Sequence, residues 1–484
     1  MIYSKRTFKF TLKPVVCAAT LFVFGGLYAQ DVDLISTTAS SRWETPKRFL
    51  KKNKDNVTAD IVVYTDSVLQ EIDGIGGAFN ELGWDALNAL PKAASQQVFN
   101  DLFSEEGLNF SMCRIPLGAS DYALSYYSSN DVAEDFEMRD FNIDRDRYIL
   151  IPYIKEALKV NPDLQIWASP WSPPAWMKVN EHYAMRSGDF ENAKAGNKMN
   201  PGAEIKNNAT AFKMQEGYLK AYALYFSKFV QAYKKAGVPL FAIMPQNEIA
   251  FQPNWPSCTW RPEDMAYFIN GFLGPQFESD NLDTEIWLGT VNSGDPDYVK
   301  TILEDKKEAN YIKGVGFQWG GAKAIPTVHE TFPDMKLMQT ENKCGEHEND
   351  WTSVQRSWKD LVHYFNNGAG SYMYWNMVLD ETGSSAWGWP QNSMVVIDKN
   401  TKKVTYTDEF YLFKHVSHFV QPGDHYLKSS SGNHHLAFLL KDGRVMVLVN
   451  NPEPTTQTLN FKIGTESFGV TVAATSINTI VLNK

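Results

Sequence analysis

The feature that most constrains the fold is a regular alternation of strand-like and helix-like segments between residues 71 and 421. Short apolar runs alternate there with longer stretches of amphipathic pattern. Strands separated by helices form parallel sheets, and eight such units match an α/β protein with a closed (β/α)8 TIM barrel. An open doubly wound sheet is the alternative, but GIGGAF at 74–79 lacks the spacing of a dinucleotide-binding turn. The eight candidate strands are 74–79, 109–118, 164–171, 240–247, 285–291, 314–319, 336–341 and 370–375.

The pattern changes after Pro422, where short β-like runs are separated by Asp-Gly, Asn-Pro and Ser-Gly turns. Residues 422–484 therefore predict a small antiparallel β-sandwich side domain. Residues 30–70, before the barrel, begin as a polar lead-in, and the alternating run 57–68 within them predicts a strand that completes the sandwich.

Residues 1–29 have the layout of a secretory signal peptide. Four Lys or Arg residues precede an apolar segment of about 16 residues, and the chain turns polar from Gln30. A membrane anchor is the alternative, but the segment is shorter than the ~20 residues that a span needs. We expect cleavage after Ala29 and a mature chain without a membrane span that is secreted, periplasmic or attached at the cell surface.

The composition restricts which classes of molecule the chain can bind. The 484 residues carry a formal net charge of −10, and no basic patch follows the N-terminus, which disfavours nucleic acid binding. Aromatic residues make up 13% of the chain; most should pack in the core, and a surplus is also typical of sugar-binding sites. The expected mature chain keeps Cys113, Cys258 and Cys344, an odd number without metal-site spacing, so we expect unpaired thiols. We expect a monomer.

Two glutamates occupy the positions where TIM barrels place functional residues. Glu248 directly follows the fourth predicted strand, and Glu341 ends the seventh. A single glutamate after a strand is usually a solvated loop residue, but two such residues facing one barrel mouth are what glycoside hydrolysis requires. One carboxyl group protonates the departing oxygen while the other attacks or activates water. A separation of about 5–5.5 Å would mean retention of configuration, and a wider one inversion.

Other residues at the predicted strand ends fit the same chemistry. Arg114 on strand two would keep the nucleophile ionised, Asn247 would donate a hydrogen bond to a sugar 2-hydroxyl, and tryptophans would pack against a sugar ring. A metal site at 346–348 (Glu-His-Glu) is disfavoured because neighbours in an extended chain face opposite sides, and no G-x-S-x-G nucleophile elbow occurs.

Several longer stretches carry a family resemblance. GIGGAFNE, RIPLGASDYALSYYS, ASPWSPPAWMK, MPQNEIAF, MQTE and YWNMVLDETGSSAWGW together resemble glycoside hydrolase family 30, in the same order, over about residues 70 to 425. The resemblance implies a (β/α)8 barrel with a β-sandwich side domain, a retaining mechanism and no cofactor. It also implies site roles. Glu248 would be the acid/base and Glu341 the nucleophile. Asn247 would bind the sugar 2-hydroxyl, Arg114 would lie beside the nucleophile, and the pocket residues would be Trp171, Trp319 and Trp375.

The chain departs from the family pattern at two places. Ile249 replaces the proline that often follows Asn-Glu, and Asn80-Glu81 stands where the glucosylceramidases have Thr-Asp. By resemblance, Glu81 would hold hydroxyls of the terminal sugar and reshape the pocket.

Together these patterns predict a secreted β-glycosidase acting on β-linked glucose. The first choice of substrate is β-1,6-glucan cleaved within the chain. A glucosylceramidase-like exo-β-glucosidase or β-xylosidase is the alternative. A non-catalytic carbohydrate-binding protein is the competing class, but it would not need both glutamates.

Overall fold

The computed structural model describes residues 32–47, 50–51, 57–206, 209–304 and 311–483, so the predicted signal peptide 1–29 lies outside the described residues. The described strands are β1 Val32–Thr38, β2 Leu50–Lys51, β3 Ile61–Glu71, β4 Gly74–Ala78, β5 Met112–Leu117, β6 Gln165–Pro170, β7 Ala242–Ile243, β8 Glu285–Val291, β9 Ile312–Gln318, β10 Lys336–Glu341, β11 Ala369–Asn376, β12 Val378–Asp380, β13 Val395–Ile397, β14 Val404–Tyr406, β15 His425–Ser429, β16 His435–Leu439, β17 Val445–Asn451, β18 Gln457–Ile463, β19 Glu466–Val472 and β20 Ser476–Leu482. The described α-helices are α1 Glu81–Asn88, α2 Lys92–Phe103, α3 Asp144–Tyr148, α4 Leu150–Val160, α5 Glu216–Lys235, α6 Pro262–Phe268, α7 Gly274–Ser279, α8 Asp297–Glu304, α9 Ile325–Thr331, α10 Trp351–Asn366 and α11 Asp408–Ser417.

Strands β4 to β11 form a closed parallel barrel, in which β11 pairs back onto β4. All eight predicted barrel strands are therefore confirmed. The fourth, β7, is short because Pro245 has no N–H to donate to a neighbouring strand. Backbone hydrogen bonds from Met244 to Ala168 and from Asn247 to Pro170 nevertheless continue along β6 and direct the chain to the barrel mouth.

Apolar side chains fill the barrel. A cluster from six of the eight strands meets inside it below the mouth, and the larger core lies between the strands and the surrounding helices. Trp167 belongs to the inner cluster, and the guanidinium carbon of Arg114 lies 5.1 Å from the centre of its ring. The polar residues at the mouth therefore rest on a close-packed base, which restricts their rotation. The inner cluster consists of Met112, Trp167, Ala242, Met244, Trp287, Met338 and Met373.

The side domain is a nine-stranded sheet in the order β1-β20-β17-β16-β15-β3-β18-β19-β2. Apolar residues from β1 at one end and β19 near the other share one core, which confirms the predicted antiparallel β-domain beside the barrel. β3 joins this sheet as predicted, with β15 antiparallel and β18 parallel to it. β1 was not predicted, because the segment before residue 57 was interpreted as a polar lead-in.

The first barrel helix was also not predicted. α1 begins at Glu81, directly after β4, and the Asn80 side chain caps it by accepting a hydrogen bond from the backbone N–H of Gly83 over 2.7 Å. Asparagine is among the preferred residues at this position because its side chain satisfies a free helical N–H. None of the helices in the described ranges has both the length and the apolarity that a bilayer span requires.

Candidate active site

Glu248 and Glu341 meet in one cavity at the barrel mouth. Its volume is about 320 Å³, and its walls come from the loops that follow β5, β7, β8, β9 and β12 together with the end of β10. The two predicted carboxylic acids are thus brought together by strands on different sides of the barrel. The lining residues are Asp121, Glu248, Phe251, Trp255, Asn292, Trp319, Gly320, Glu341, Trp389 and Gln391.

Glu341 is held through one of its two carboxylate oxygens. Arg114 Nη1 donates to Oε2 over 2.6 Å, and Gln318 Nε2 donates to the same oxygen over 2.8 Å. Burial raises the pKa of Glu341, and the charge of Arg114 and both hydrogen bonds oppose that rise. The arrangement stabilises the carboxylate form and leaves Oε1 without these two donors, as a nucleophile requires.

Glu248 has a different environment. It forms no ion pair within the described residues, and its backbone adopts a left-handed conformation with φ of 49°. Such a conformation is costly for a residue with a Cβ, and it is found at functional sites where the surrounding structure enforces it. Burial, together with the negative charges of Glu341 and Asp121, raises the pKa of Glu248 well above its usual value. Of the two acids, Glu248 is therefore suited to hold a proton.

The amide of Asn247 is fixed in one orientation. Its Oδ1 accepts hydrogen bonds from Arg114 Nη2 over 2.6 Å, Gln318 Nε2 over 2.7 Å and Thr290 Oγ1 over 3.1 Å. Because the oxygen faces three donors, Nδ2 points away from them and is available to donate to a ligand. Gln318 thus connects the nucleophile to this amide, and the sequence interpretation did not include it among the site residues.

The three predicted tryptophans have two different positions. Trp171 and Trp375 are buried, lie 5.2 Å apart as a stacked pair, and flank the Arg114 guanidinium at 4.3 Å and 5.4 Å. Neither is among the residues that line the cavity, and both hold the arginine by cation–π contact. Their contact with a sugar stays a prediction. Trp319 lines the cavity and is 43% exposed at its rim.

Glu81 does not reach the cavity. Its Oε1 accepts from Arg145 Nε over 2.7 Å, and its Oε2 accepts from Arg145 Nη2 over 2.6 Å and from the backbone N–H of Leu124 over 2.8 Å. The expected contact with a sugar is therefore not made by this residue as it stands in the structure. The carboxylate instead joins the start of α1 to the loop after β5 and to α3.

Asp121 is the cavity carboxylic acid that the sequence interpretation missed. It lies four residues beyond the end of β5 and lines the cavity with the two glutamates. It is buried, and its Oδ1 has no hydrogen-bond partner among the described residues. Burial and the nearby charge of Glu341 raise its pKa well above the usual value. An acceptor left unsatisfied by the protein is costly unless a ligand supplies a donor.

The other groups that the sequence raised are a metal site at 346–348 and three cysteines. No group of His, Cys, Asp and Glu in the described ranges is arranged to hold a metal ion. The segment 346–348 lies outside the cavity. Cys113, Cys258 and Cys344 are buried free thiols, and burial raises the pKa of Cys113 and Cys258 to about 12. Such thiols are poor nucleophiles because they remain protonated.

Comparison with known proteins agrees with this geometry. The model of the glycosyl hydrolase family 30 TIM-barrel domain matches residues 72–420. The chain is similar to putative glucosylceramidase 1 of Caenorhabditis elegans, with 28% identity over 81% of this chain and 76% of that protein. It is also similar to the endo-1,6-beta-D-glucanase neg1 of Aspergillus fumigatus, with 27% identity over 79% of this chain and 78% of that protein.

A solved structure shares the whole architecture. SrfJ from Salmonella typhimurium superposes with a TM-score of 0.82 at 23% identity, over 94% of this chain and 99% of that one. Both the barrel and the side domain are thus present in a protein of known structure.

Proposed function

The chain belongs to glycosyl hydrolase family 30, and from this premise we propose that it is an exported, retaining β-glycosidase that cleaves β-1,6-linked glucan within the chain. The observation that carries the proposal is the unequal pair of carboxyl groups in one cavity: Glu341 is bound by Arg114, whereas Glu248 has no cationic partner in the described structure. Because of this difference, Glu341 is suited to act as the charged nucleophile and Glu248 as the protonated acid.

The first half of the reaction forms a covalent intermediate. Glu341 Oε1 attacks the anomeric carbon, the bond from that carbon to the leaving oxygen breaks, and the proton of Glu248 passes to that oxygen. Arg114 and Gln318 hold the attacking carboxylate in place through its other oxygen. In the second half, water attacks the same carbon, Glu248 takes the proton of the water, and Glu341 is released. Two inversions give overall retention.

Two polar groups would bind the sugar that becomes attached. Asn247 Nδ2 would donate to the 2-hydroxyl, since its Oδ1 is occupied by three protein donors. The carboxyl group of Asp121 would accept from another hydroxyl of the same ring and so take the role that was expected of Glu81. Both contacts can strengthen as the ring becomes oxocarbenium-like.

The named relatives support two candidate substrates. One curated relative is named as an endo-1,6-β-glucanase, and another as a putative glucosylceramidase at nearly equal identity. The glucosylceramidase-like exo-β-glucosidase is therefore the second candidate. The presence of both glutamates disfavours a non-catalytic carbohydrate-binding protein. The proposal includes export, because residues 1–29 have the signal-peptide pattern, and action as a monomer.

Proton NMR of the first-formed product would test the stereochemistry. With a β-glucoside as substrate, the β-anomer should appear before mutarotation, whereas early α-anomer would overturn the retaining assignment. A product profile on β-1,3-, β-1,4- and β-1,6-glucans, xylan and glucosylceramide would test the substrate. Internal cleavage of β-1,6-glucan is the expected outcome, and release of glucose from glucosylceramide alone would favour the second candidate.

A further inference from the structure

Aromatic rings line the outer part of the cavity. Phe251 is 42% exposed and Trp319 is 43% exposed, so both rings are accessible from the cavity that they line. Trp255 lies 5.8 Å from Phe251 and 4.1 Å from Trp389, measured between ring centres. The four rings come from the loops after β7, β9 and β12, and we call them the aromatic rim.

The aromatic rim lies beside the proposed acid. The backbone N–H of Phe251 donates to the carbonyl of Glu248 over 3.1 Å, so a tight turn sets this ring next to the residue that protonates the leaving oxygen. Asn292 lines the same cavity, and its Oδ1 accepts from the backbone N–H of Ala250, two residues beyond Glu248, over 3.0 Å. A group bonded to the protonated oxygen must therefore pass over this part of the cavity.

The chemistry of the lining distinguishes a sugar from a lipid. Every apolar side chain that lines the cavity within the described structure is aromatic; none is aliphatic. Gln391 adds a polar group whose Oε1 is occupied by Asn376 over 2.9 Å, which leaves Nε2 as a donor. A pyranose has an apolar C–H face and a polar edge, so it can use both the rings and the amides. An alkyl chain would leave the amides desolvated without partners.

We propose that the aromatic rim is a leaving-group subsite that binds a second sugar residue rather than a lipid chain. This inference rests on the proposed function, because it takes Glu248 as the acid. It implies that the enzyme recognises at least one sugar on each side of the cleaved bond. An oligosaccharide with a further residue on the leaving side should therefore be cleaved with higher kcat/KM than a glucoside with a small leaving group that is equally reactive.

The test compares substrates that differ only on the leaving side. Gentiotriose, a β-1,6-linked glucose trimer, places sugar on the rim; dodecyl β-glucoside places an alkyl chain there; and β-glucosyl fluoride has a leaving group that fills no subsite. In Phe251→Ala and Trp319→Ala, the ratio of kcat/KM for gentiotriose to that for glucosyl fluoride should fall by about three- to tenfold each, as expected for one aromatic contact. Tyr148→Ala is the matched control, since Tyr148 is 81% exposed and lies outside the cavity.

Each outcome has a distinct meaning. An unchanged ratio in both rim variants, with wild-type enzyme active on gentiotriose, would overturn the subsite but leave the proposed function intact. A larger loss with dodecyl glucoside than with gentiotriose would also overturn it, because the rim would then bind an alkyl chain. Wild-type enzyme inactive on β-1,6-glucan as well as on glucosyl fluoride and gentiotriose would overturn the proposed function itself. Because glucosyl fluoride is measured for every variant, a misfolded variant cannot mimic a loss of the ratio.

Discussion

Replacing Gln318 by leucine removes two hydrogen bonds at the centre of the site. Its Nε2 donates to Glu341 over 2.8 Å and to Asn247 over 2.7 Å. A hydrogen bond to a charged group contributes about 1.5–3 kcal/mol and one between neutral groups about 0.5–1.5 kcal/mol, so about 2–4.5 kcal/mol is at stake. Arg114 still donates to both acceptors over 2.6 Å each, so the loss should lie at the low end. We expect kcat/KM to fall by about 30- to 100-fold.

The same substitution should change the pH dependence. The hydrogen bond from Gln318 lowers the pKa of Glu341 against the effect of burial, so its removal should raise that pKa. The nucleophile reacts as the carboxylate, and a higher pKa means a smaller ionised fraction at acidic pH. The pH dependence of kcat/KM gives the pKa values of essential groups in the free enzyme. The acidic limb of that pH profile should therefore move to higher pH in Gln318→Leu. Initial rates with an aryl β-glucoside across a pH series measure both effects.

Gln339→Leu is the matched control. Gln339 is equally buried on β10, but its Oε1 accepts from the backbone N–H of Met373 over 3.1 Å, and it makes no hydrogen bond to either catalytic carboxyl group in the described structure. This variant should lower stability without moving the acidic limb. Wild-type kcat/KM and an unmoved acidic limb in Gln318→Leu would refute the assignment of Gln318 as a residue that positions the nucleophile. A limb that moved equally in both variants would refute it as well.

Three further outcomes follow from the site and one from the predicted signal peptide. Glu341→Ala should abolish hydrolysis, whereas Glu248→Ala should lose about 10²–10⁴-fold with sugar leaving groups and regain turnover with azide, giving the β-glycosyl azide; an α product from that variant would reverse the roles. Asp121→Asn should lower kcat/KM by about 10- to 100-fold, as removing one partner of a buried hydrogen bond does, and wild-type kinetics would exclude a sugar contact. Glu81→Gln should lower the free energy of unfolding by about 1.5–3 kcal/mol in chemical denaturation while kcat/KM stays within about twofold; a large kinetic loss at unchanged stability would return Glu81 to the cavity. Edman sequencing of exported protein should begin near Gln30, and a chain that still begins at Met1 would contradict cleavage.

The barrel was predictable from sequence because its strands are buried and separated by helices, which gives a repeated pattern. The side-domain strand β1 was not predictable in this way. One face of Val32–Thr38 packs on the core while Asp33 remains exposed. Seven residues of alternating buried and exposed positions give too short a pattern to be recognised within a polar segment. α1 was missed for a related reason. Asn80 follows a strand and was considered only as part of the Asn80-Glu81 departure from the family pattern, whereas its side chain caps the helix that begins one residue later.

The rule that functional residues follow barrel strands selected Glu248 and Glu341, and both line the cavity. The family resemblance selected Glu81, whose carboxylate is instead paired with Arg145. What separates these acids is which oxygens the protein already uses. Arg145 and a backbone N–H donate to both oxygens of Glu81, which ties this carboxylate to the protein. Arg114 and Gln318 bind one oxygen of Glu341, which fixes the group and leaves the other oxygen to react. The two arginines come from distant parts of the chain, 64 residues from Glu81 for Arg145 and 227 from Glu341 for Arg114, so sequence spacing cannot reveal them. A polar residue after a barrel strand therefore becomes evidence for chemistry only once the fold shows that one of its atoms remains unused.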